Sequence, residues 1–389
     1  MAIEQQQINA DVCIVGAGMV GLAHAHEALR RGLKVVVLER EQRAVGASVR
    51  NFGHLFFSGL RTGESYETGL RSRERWLELA PSAGLPLYQA GTLLVARATD
   101  ELAVLEAWLA QPERRGQILT PEQAVAVAPV AAEGLVGALH CELDLRTDPR
   151  SAVAALAGLM TERGGRIEWG ALVHEVEPGL VYASQVGSGN ELRHLTVKAP
   201  AIIVCPGPDF QQLPPGLRPP QASMTLCRLQ MLRIASPHGR IYSPALATAL
   251  STIRYPAFAS QPPASELRSR LELEKPEHLA AGIHLLVTQL PDGDLIIGDS
   301  HSYGDTLAPF GQERLDQLLL DEVAQLLGEW PVVKERWHGI YPAATALSAS
   351  ENFMLFKPAE GIRVVECISG LGMTLSLGYA PLVLDELIG

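Results

Sequence analysis

The chain has 389 residues, 47% of them hydrophobic, and carries 32 Lys and Arg against 43 Asp and Glu for a net charge of −11 at pH 7. That length can bury a large core and predicts two domains, while the acidic balance argues against nucleic acid as a partner. The apolar runs are strand-sized, short of the ~18 residues a membrane span needs, and MAIEQQQINA has neither the basic nor the apolar part of a secretory signal, so no membrane is expected and the cytoplasm is the expected location.

In chain order, Val12, Ile14 and Val15 form a buried β-run that breaks at Gly16-Ala17-Gly18-Met19-Val20-Gly21. Leu22, Ala25 and Leu29 then recur at helical spacing, and Val35 to Leu38 form a second strand. This is one βαβ unit. Gly16 permits the tight turn, Gly18 lets a pyrophosphate approach the backbone, Gly21 lets helix and strand pack closely, and the helix N-terminus points free N–H groups at the anion. Glu39 closes the second strand, placed to accept hydrogen bonds from a ribose 2′-hydroxyl. An acid there would repel a 2′-phosphate, which disfavours NADP. NAD and FAD both stay open at this point.

The next stretch, Arg50 to Arg61, sets Arg50 and His54 among apolar residues, which marks either a site or a satisfied internal bond. Thr92 to Ala96 reads as a strand and Leu102 to Leu109 as an amphipathic helix. Asp148-Pro149 opens a helix over Ser151 to Arg163, and Arg166 to Trp169 and Leu172 to Val176 follow as strands. Ala201 to Cys205 runs into the turn Pro206-Gly207. The nearest thing to a linker is LPPGLRPP, within Gln212 to Gln221. Leu226 to Ile234, Ile283 to Gln289 and Asp294 to Gly298 read as strands, the last two joined by the hairpin turn Leu290-Pro-Asp-Gly293. A helix is expected over Arg314 to Leu327. At the end, a strand at Ile362 to Glu366 leads into the glycine turn Ser369 to Thr374 and a helix over Leu375 to Leu387. A second glycine turn at a helix N-terminus is a second anion or dipole site, and one NAD needs only one.

Five scattered cysteines, Cys13, Cys141, Cys205, Cys227 and Cys367, form no CxxC and read as reduced thiols. The sequence has no G-x-S-x-G, no H-E-x-x-H and no P-loop, and His24 and His26 lie at i, i+2 of a helix, where they do not face each other. No metal site is expected.

The βαβ unit with Glu39, the loop Gly46-Ala-Ser48-Val49-Arg50-Asn51, the Asp148-Pro helix, the strand into Cys205-Pro-Gly207, the Asp292 to Gly298 strand and the terminal Ser369-Gly370-Leu371-Gly372-Met373-Thr374 occur together in one order. In that combination the chain resembles the FAD-dependent D-amino-acid oxidase family, which includes glycine oxidase and monomeric sarcosine oxidase, over almost its whole length. The resemblance implies an α/β protein (α+β overall): a Rossmann-like FAD-binding domain with a discontinuous, mainly antiparallel β-sheet substrate domain. The FAD-binding domain would take residues 1–85, 146–215 and 331–389, and the substrate domain 86–145 and 216–330. It implies non-covalent FAD, held by Gly16, Ala17, Gly18, Met19, Val20, Gly21, Glu39, Arg40, Ser48, Val49, Arg50, Asn51, Val173, Cys205, Gly207, Gly370, Leu371, Gly372, Met373 and Thr374, the last two through backbone N–H groups.

It also implies a reaction: hydride transfer from the carbon beside an amine nitrogen to flavin N5, then imine hydrolysis, with oxygen or another acceptor taking the electrons. A flavin carries the redox step itself and leaves the protein to bind and orient. Three departures stand out. Tyr341 occupies the place of the family's carboxylate-binding arginine, Ile296 stands where sarcosine oxidases carry an oxygen-activating lysine, and no cysteine near Gly339 or Ile340 could attach flavin covalently. The substrate-site candidates are therefore Arg50, His54, Arg254, with Tyr255 beside it, His301, with Tyr303, and Tyr341. One subgroup of the family is associated with aminophosphonate catabolism, and a phosphonate's extra charge suits an Arg/His pocket, so 2-aminoethylphosphonate or an N-alkyl derivative is the expected substrate. The alternatives are an amino-acid (glycine, sarcosine or D-amino-acid) oxidase or dehydrogenase and, in another class, a non-catalytic or tRNA-modification-related flavoprotein. An NAD-dependent dehydrogenase is a distant third.

Overall fold

A computed structural model describes residues 4–186, 191–219, 224–345 and 352–389. The end of LPPGLRPP falls outside them. Two large sheets organise the chain. The first has six strands in the order Arg166–Trp169, Val35–Glu39, Val12–Val15, Ala201–Val204, Ile362–Cys367 and Phe353–Ala359, the first five parallel and the last antiparallel. Its strands are apolar throughout because both faces are covered. Val12, Ile14, Val35, Val37 and Ile203 face the helices Met19–Arg30, Glu64–Ser82, Pro149–Glu162 and Gly372–Ile388. Cys13, Val36, Leu38, Ile202 and Val364 face Val181, Ala183, Leu195 and Val197 of a four-stranded sheet.

That smaller sheet includes a strand the sequence did not announce. Glu4–Asn9 pairs in parallel with Leu192–Lys198, yet of its described residues only Ile8 is a buried apolar side chain. Backbone pairing carries it, and no side-chain periodicity betrays it.

The second large sheet has nine strands, mostly antiparallel: Ser302–Gly304, Met224–Ile234, Leu295–Gly298, Leu286–Gln289, Ala245–Ala247, Thr92–Ala96, Gly137–Cys141 and Gln117–Leu119 in order, with Val333–Ala344 also on Met224–Ile234. The hairpin turn at Leu290 closes as its residues predict, with Gly293 at φ +93° and Leu290 N–H donating to Asp294 O at 2.8 Å. Val333–Ala344 falls in the stretch expected with the parallel sheet, and it runs antiparallel along the whole of Met224–Ile234. The polar stretch Lys334 to Arg336 hid an edge strand with one solvated face. Among the described residues no helix is long and apolar enough to cross a membrane.

Candidate active site

The glycine turn at Gly16 is built by close approach. Gly16 has φ +103°, and a Cβ there would lie 2.4 Å from Cys205 O, while one on Gly21 would lie 1.9 Å from Gly16 O. Helix Met19–Arg30 begins with no side-chain cap on Gly18. Its first-turn N–H groups are therefore turned outward, and Met19 N–H donates to Ser48 Oγ at 2.9 Å. Glu39 braces the same turn, accepting from Ala17 N–H at 2.8 Å and Glu41 N–H at 3.0 Å. Each carboxylate oxygen keeps a second lone pair for a ribose hydroxyl. Arg40 pairs with Asp209 at 2.7 Å, tying the loop after the second strand to the one after Gly207, whose φ is +57°.

The second turn sits on the same sheet edge, two strands away. Gly370 has φ +76°, and helix Gly372–Ile388 starts at Leu371 without a side-chain cap. Thr374 Oγ1 accepts from Phe56 N–H at 3.2 Å and Met373 O from Trp76 Nε1 at 2.9 Å. The hydroxyl and carbonyl are thus engaged, and the backbone N–H groups of Met373 and Thr374 lie in the orphan first turn. Asn51 clamps its own loop, donating to Ala47 O and Ser48 O and accepting from Gly53 N–H. Val49 packs on the helix-side core and Val173 on the opposite one. Two helix starts whose own N-cap residues give no side-chain cap, each after a glycine turn at one edge of one parallel sheet, fit FAD, whose pyrophosphate and isoalloxazine end would each take one; Gly16, Gly18, Gly21, Glu39 and the Gly370 turn are the residues that would hold it.

The substrate-side candidates separate. Tyr341 lies beside the second turn: a Cβ on Gly370 would come within 3.1 Å of its ring. In the large sheet, Tyr341 and Tyr303 are the two cross-strand partners of Cys227, so the three form one row. Arg254 Nη2 donates to Tyr303 Oη at 3.3 Å. Arg254 is exposed. Burial in the protein works against its charge, but Tyr341, Tyr303 and Asp299 outweigh it and push its pKa further up. Burial also raises the Tyr341 and Tyr303 hydroxyls, so this wall presents a guanidinium and two phenols that stay protonated.

His54 and Arg50 lie elsewhere. His54 is a core residue: Nε2 meets Thr92 Oγ1 at 2.7 Å, the ring stacks on Phe56 at 4.6 Å, and burial, with Arg146 nearby, lowers its pKa to about 3. Its Nδ1 is buried with no hydrogen-bond partner, so only one of its ring nitrogens is engaged. Arg50 is exposed and donates to His338 O at 3.3 Å, while its own carbonyl accepts from Trp337 Nε1. It clamps two backbone stretches together. His301 is buried, with Nδ1 2.8 Å from Gly282 O, and burial lowers its pKa to about 3. Ile296 is fully buried in the large-sheet core. Rings run continuously from His54 through Phe56, Tyr255, His284 and His301 to Tyr303. Sequence reasoning missed Cys227, His284 and Asp299. The only signal was the spacing Asp299-Ser-His301 at a strand end.

Known proteins share parts of this arrangement. A subunit of the anaerobic glycerol-3-phosphate dehydrogenase of Escherichia coli K12 is 29% identical over 202 residues, covering 50% of this chain and 36% of that protein. Gamma-glutamylputrescine oxidoreductase from the same organism is 30% identical over 181 residues, 42% of each chain. The chain therefore spans well under half the length of these curated relatives. Glycine oxidase from Geobacillus kaustophilus shares the fold, with a TM-score of 0.73 over 98% of this chain and 94% of that one at 19% identity. The FAD dependent oxidoreductase (DAO) family matches residues 11–385, and the chain belongs to that family.

Proposed function

We propose that the protein oxidises the C–N bond of a small anionic amine and that Arg254 is the receptor for the anion. The observation that carries this reading is the donor wall of Arg254, Tyr303 and Tyr341 set against the Gly370 turn. When bound there, the flavin supplies the hydride acceptor. The chain's own part is recognition: Arg254 keeps its charge at every working pH, and the protonated Tyr341 and Tyr303 hydroxyls can each donate. Three donors and no fixed acceptor suit an oxyanion. With Tyr341 in place of an arginine the wall offers one guanidinium, Arg254, and an anion held by it need not sit where an α-carboxylate would. That favours 2-aminoethylphosphonate or an N-alkyl derivative over glycine, sarcosine or D-alanine, giving the aldehyde and the free amine. The partial match to a glycerol-3-phosphate dehydrogenase supports a second reading with the same anion receptor, in which a C–O bond is oxidised. The five cysteines form no disulfide, which suits a reducing cytoplasm.

The test is anaerobic flavin reduction at matched concentrations of 2-aminoethylphosphonate, its N-methyl form, glycine, sarcosine, D-alanine and glycerol 3-phosphate. The aminophosphonates should bleach the flavin fastest. Faster bleaching by D-alanine or sarcosine sinks the phosphonate assignment, and faster bleaching by glycerol 3-phosphate moves the reaction to a C–O bond.

A further inference from the structure

Behind the tyrosine wall lies a buried group that the reading above leaves unused. His284, Asp299 and His301 each bring one donor atom to within 4.8 Å of the others, and they are only 2%, 4% and 7% exposed. Their neighbours fix which ring nitrogen carries the proton. Ser251 Oγ donates its hydrogen to Leu285 O at 2.9 Å, so toward His284 Nδ1, 3.4 Å away, it can only accept. The ring proton of His284 therefore sits on Nδ1. His301 Nδ1 faces a carbonyl, Gly282 O, at 2.8 Å, and must donate as well. His284 is left with a bare Nε2, its tautomer set from outside in the way that metal-bound histidines are oriented; in His301 the carbonyl-bonded Nδ1 is the atom 3.9 Å from Asp299 Oδ1, so a ligand role in that ring falls to Nε2.

His284 Nε2 lies 2.9 Å from Asp299 Oδ1, yet that oxygen is fully buried and accepts no aligned hydrogen bond. A lone pair and a carboxylate oxygen at that separation repel unless a positive charge lies between or beside them. Among the described residues no Lys or Arg forms an ion pair with Asp299; Arg254 acts on it only through space, and its ion-pair contacts are the two histidines. A metal ion held between them would supply the positive charge. Two ligands on one ion at bond lengths of ~2.0–2.2 Å lie at most about 4.4 Å apart, so donor atoms within 4.8 Å of one another need only a small side-chain adjustment to share one.

We propose that His284, Asp299 and His301 bind one divalent first-row transition ion. Two imidazoles and one carboxylate suit zinc or ferrous iron and not magnesium or calcium, which prefer all-oxygen sets. The ion would join the strand Leu286–Gln289 to the end of Leu295–Gly298 directly behind Tyr255 and Tyr303, whose rings contact His284 and His301. It is separate from the redox chemistry of the flavin.

The test uses the flavin-containing protein, stripped with a chelator, desalted, and titrated with Zn2+. About one equivalent should remain through a second desalting, and Co2+ in its place should give d–d bands to the red of the flavin absorption. Asp299→Asn and His284→Gln should each lose that equivalent, whereas His278→Gln, outside the group, should keep it. Flavin content, read in parallel, reports folding. X-ray absorption at the zinc edge of the unmutated protein needs no variant and should show two imidazoles and no sulfur. Less than about a tenth of an equivalent bound, retention of the ion by Asp299→Asn, or a sulfur ligand would each overturn the proposal.

Discussion

Arg254 is a cation held among groups that together favour its charged state, and its hydrogen bond to Tyr303 leaves most of its five donors available. Tyr341 is its counterpart on the flavin side. Replacing Tyr341 with Phe removes one donor to an anion and keeps the ring against Gly370, so flavin content should be unchanged while kcat/KM for the anionic amine falls roughly 10- to 100-fold, the value of one hydrogen bond to a charged group at about 1.5–3 kcal/mol. A variant as active as the parent would remove Tyr341 from the site. Arg254 and Tyr341 could be picked out from sequence because each is a polar residue in an apolar setting or a departure from a family position. Cys227, His284 and Asp299 could not. They meet only through strand register and the return of a hairpin, and nothing along the chain brings residue 227 to 303 and 341.

At the scale of elements, the first turn and its helix set the terms for the nucleotide. A Cβ on Gly21 would lie 1.9 Å from Gly16 O, so Gly21→Ala must open the strand–helix corner and should yield protein with little flavin. Gly18 has more room, with Ser48 Oγ 3.2 Å from its Cβ position, and Gly18→Val should fold but fail to bind flavin because the side chain fills the pyrophosphate's path. A normal flavin-to-protein absorbance ratio in Gly18→Val would mean that the turn is not the cofactor's seat. The helix itself carries His24 and His26, whose pKa values burial lowers from 6.5 to about 4. The unfolded chain takes up these protons first, so the stability they contribute is whole above about pH 6.5 and is lost as the pH falls toward 4. At pH 5 the loss is about 2 kcal/mol for each. Melting temperatures of the parent should therefore drop between pH 7 and pH 5, and His24→Gln/His26→Gln should show a clearly shallower drop. Equal slopes would mean that both rings are reached by solvent. This turn was the most legible part of the chain because glycines, helical spacing and the closing acid all act within one βαβ unit. Strand Glu4–Asn9 was illegible for the opposite reason, its pairing being to residues far along the chain.

For the whole molecule, the parallel sheet is assembled from three separate stretches of chain, with the nine-stranded sheet drawn from the pieces between them and from Val333–Ala344. Tyr341 belongs to that last strand and lies against the Gly370 turn that precedes the final helix, so the two sheets meet at that turn. We propose the two-domain division with its last boundary after Ala344. The continuous apolar strands at both ends and the alternating ones between made the two sheets legible, but an edge strand whose outer face is solvated reads as loop. If FAD seats at this edge, the purified protein should be yellow and release free FAD on acid denaturation. A colourless protein that binds NAD would refute the assignment.

The pairing of Arg254 with the anion of an amine substrate beside the flavin is the central claim. The direct measurement is stopped-flow anaerobic flavin reduction by 2-aminoethylphosphonate and by propylamine, its uncharged-tail analogue, in the parent and in Arg254→Ala. The parent should reduce with the phosphonate far faster than with propylamine. Arg254→Ala should lose roughly two to four powers of ten in the phosphonate's second-order rate constant, the value of about two charge-assisted bonds, and change little with propylamine. A phosphonate rate within a few-fold of the parent's in Arg254→Ala, at equal flavin content, would contradict that pairing.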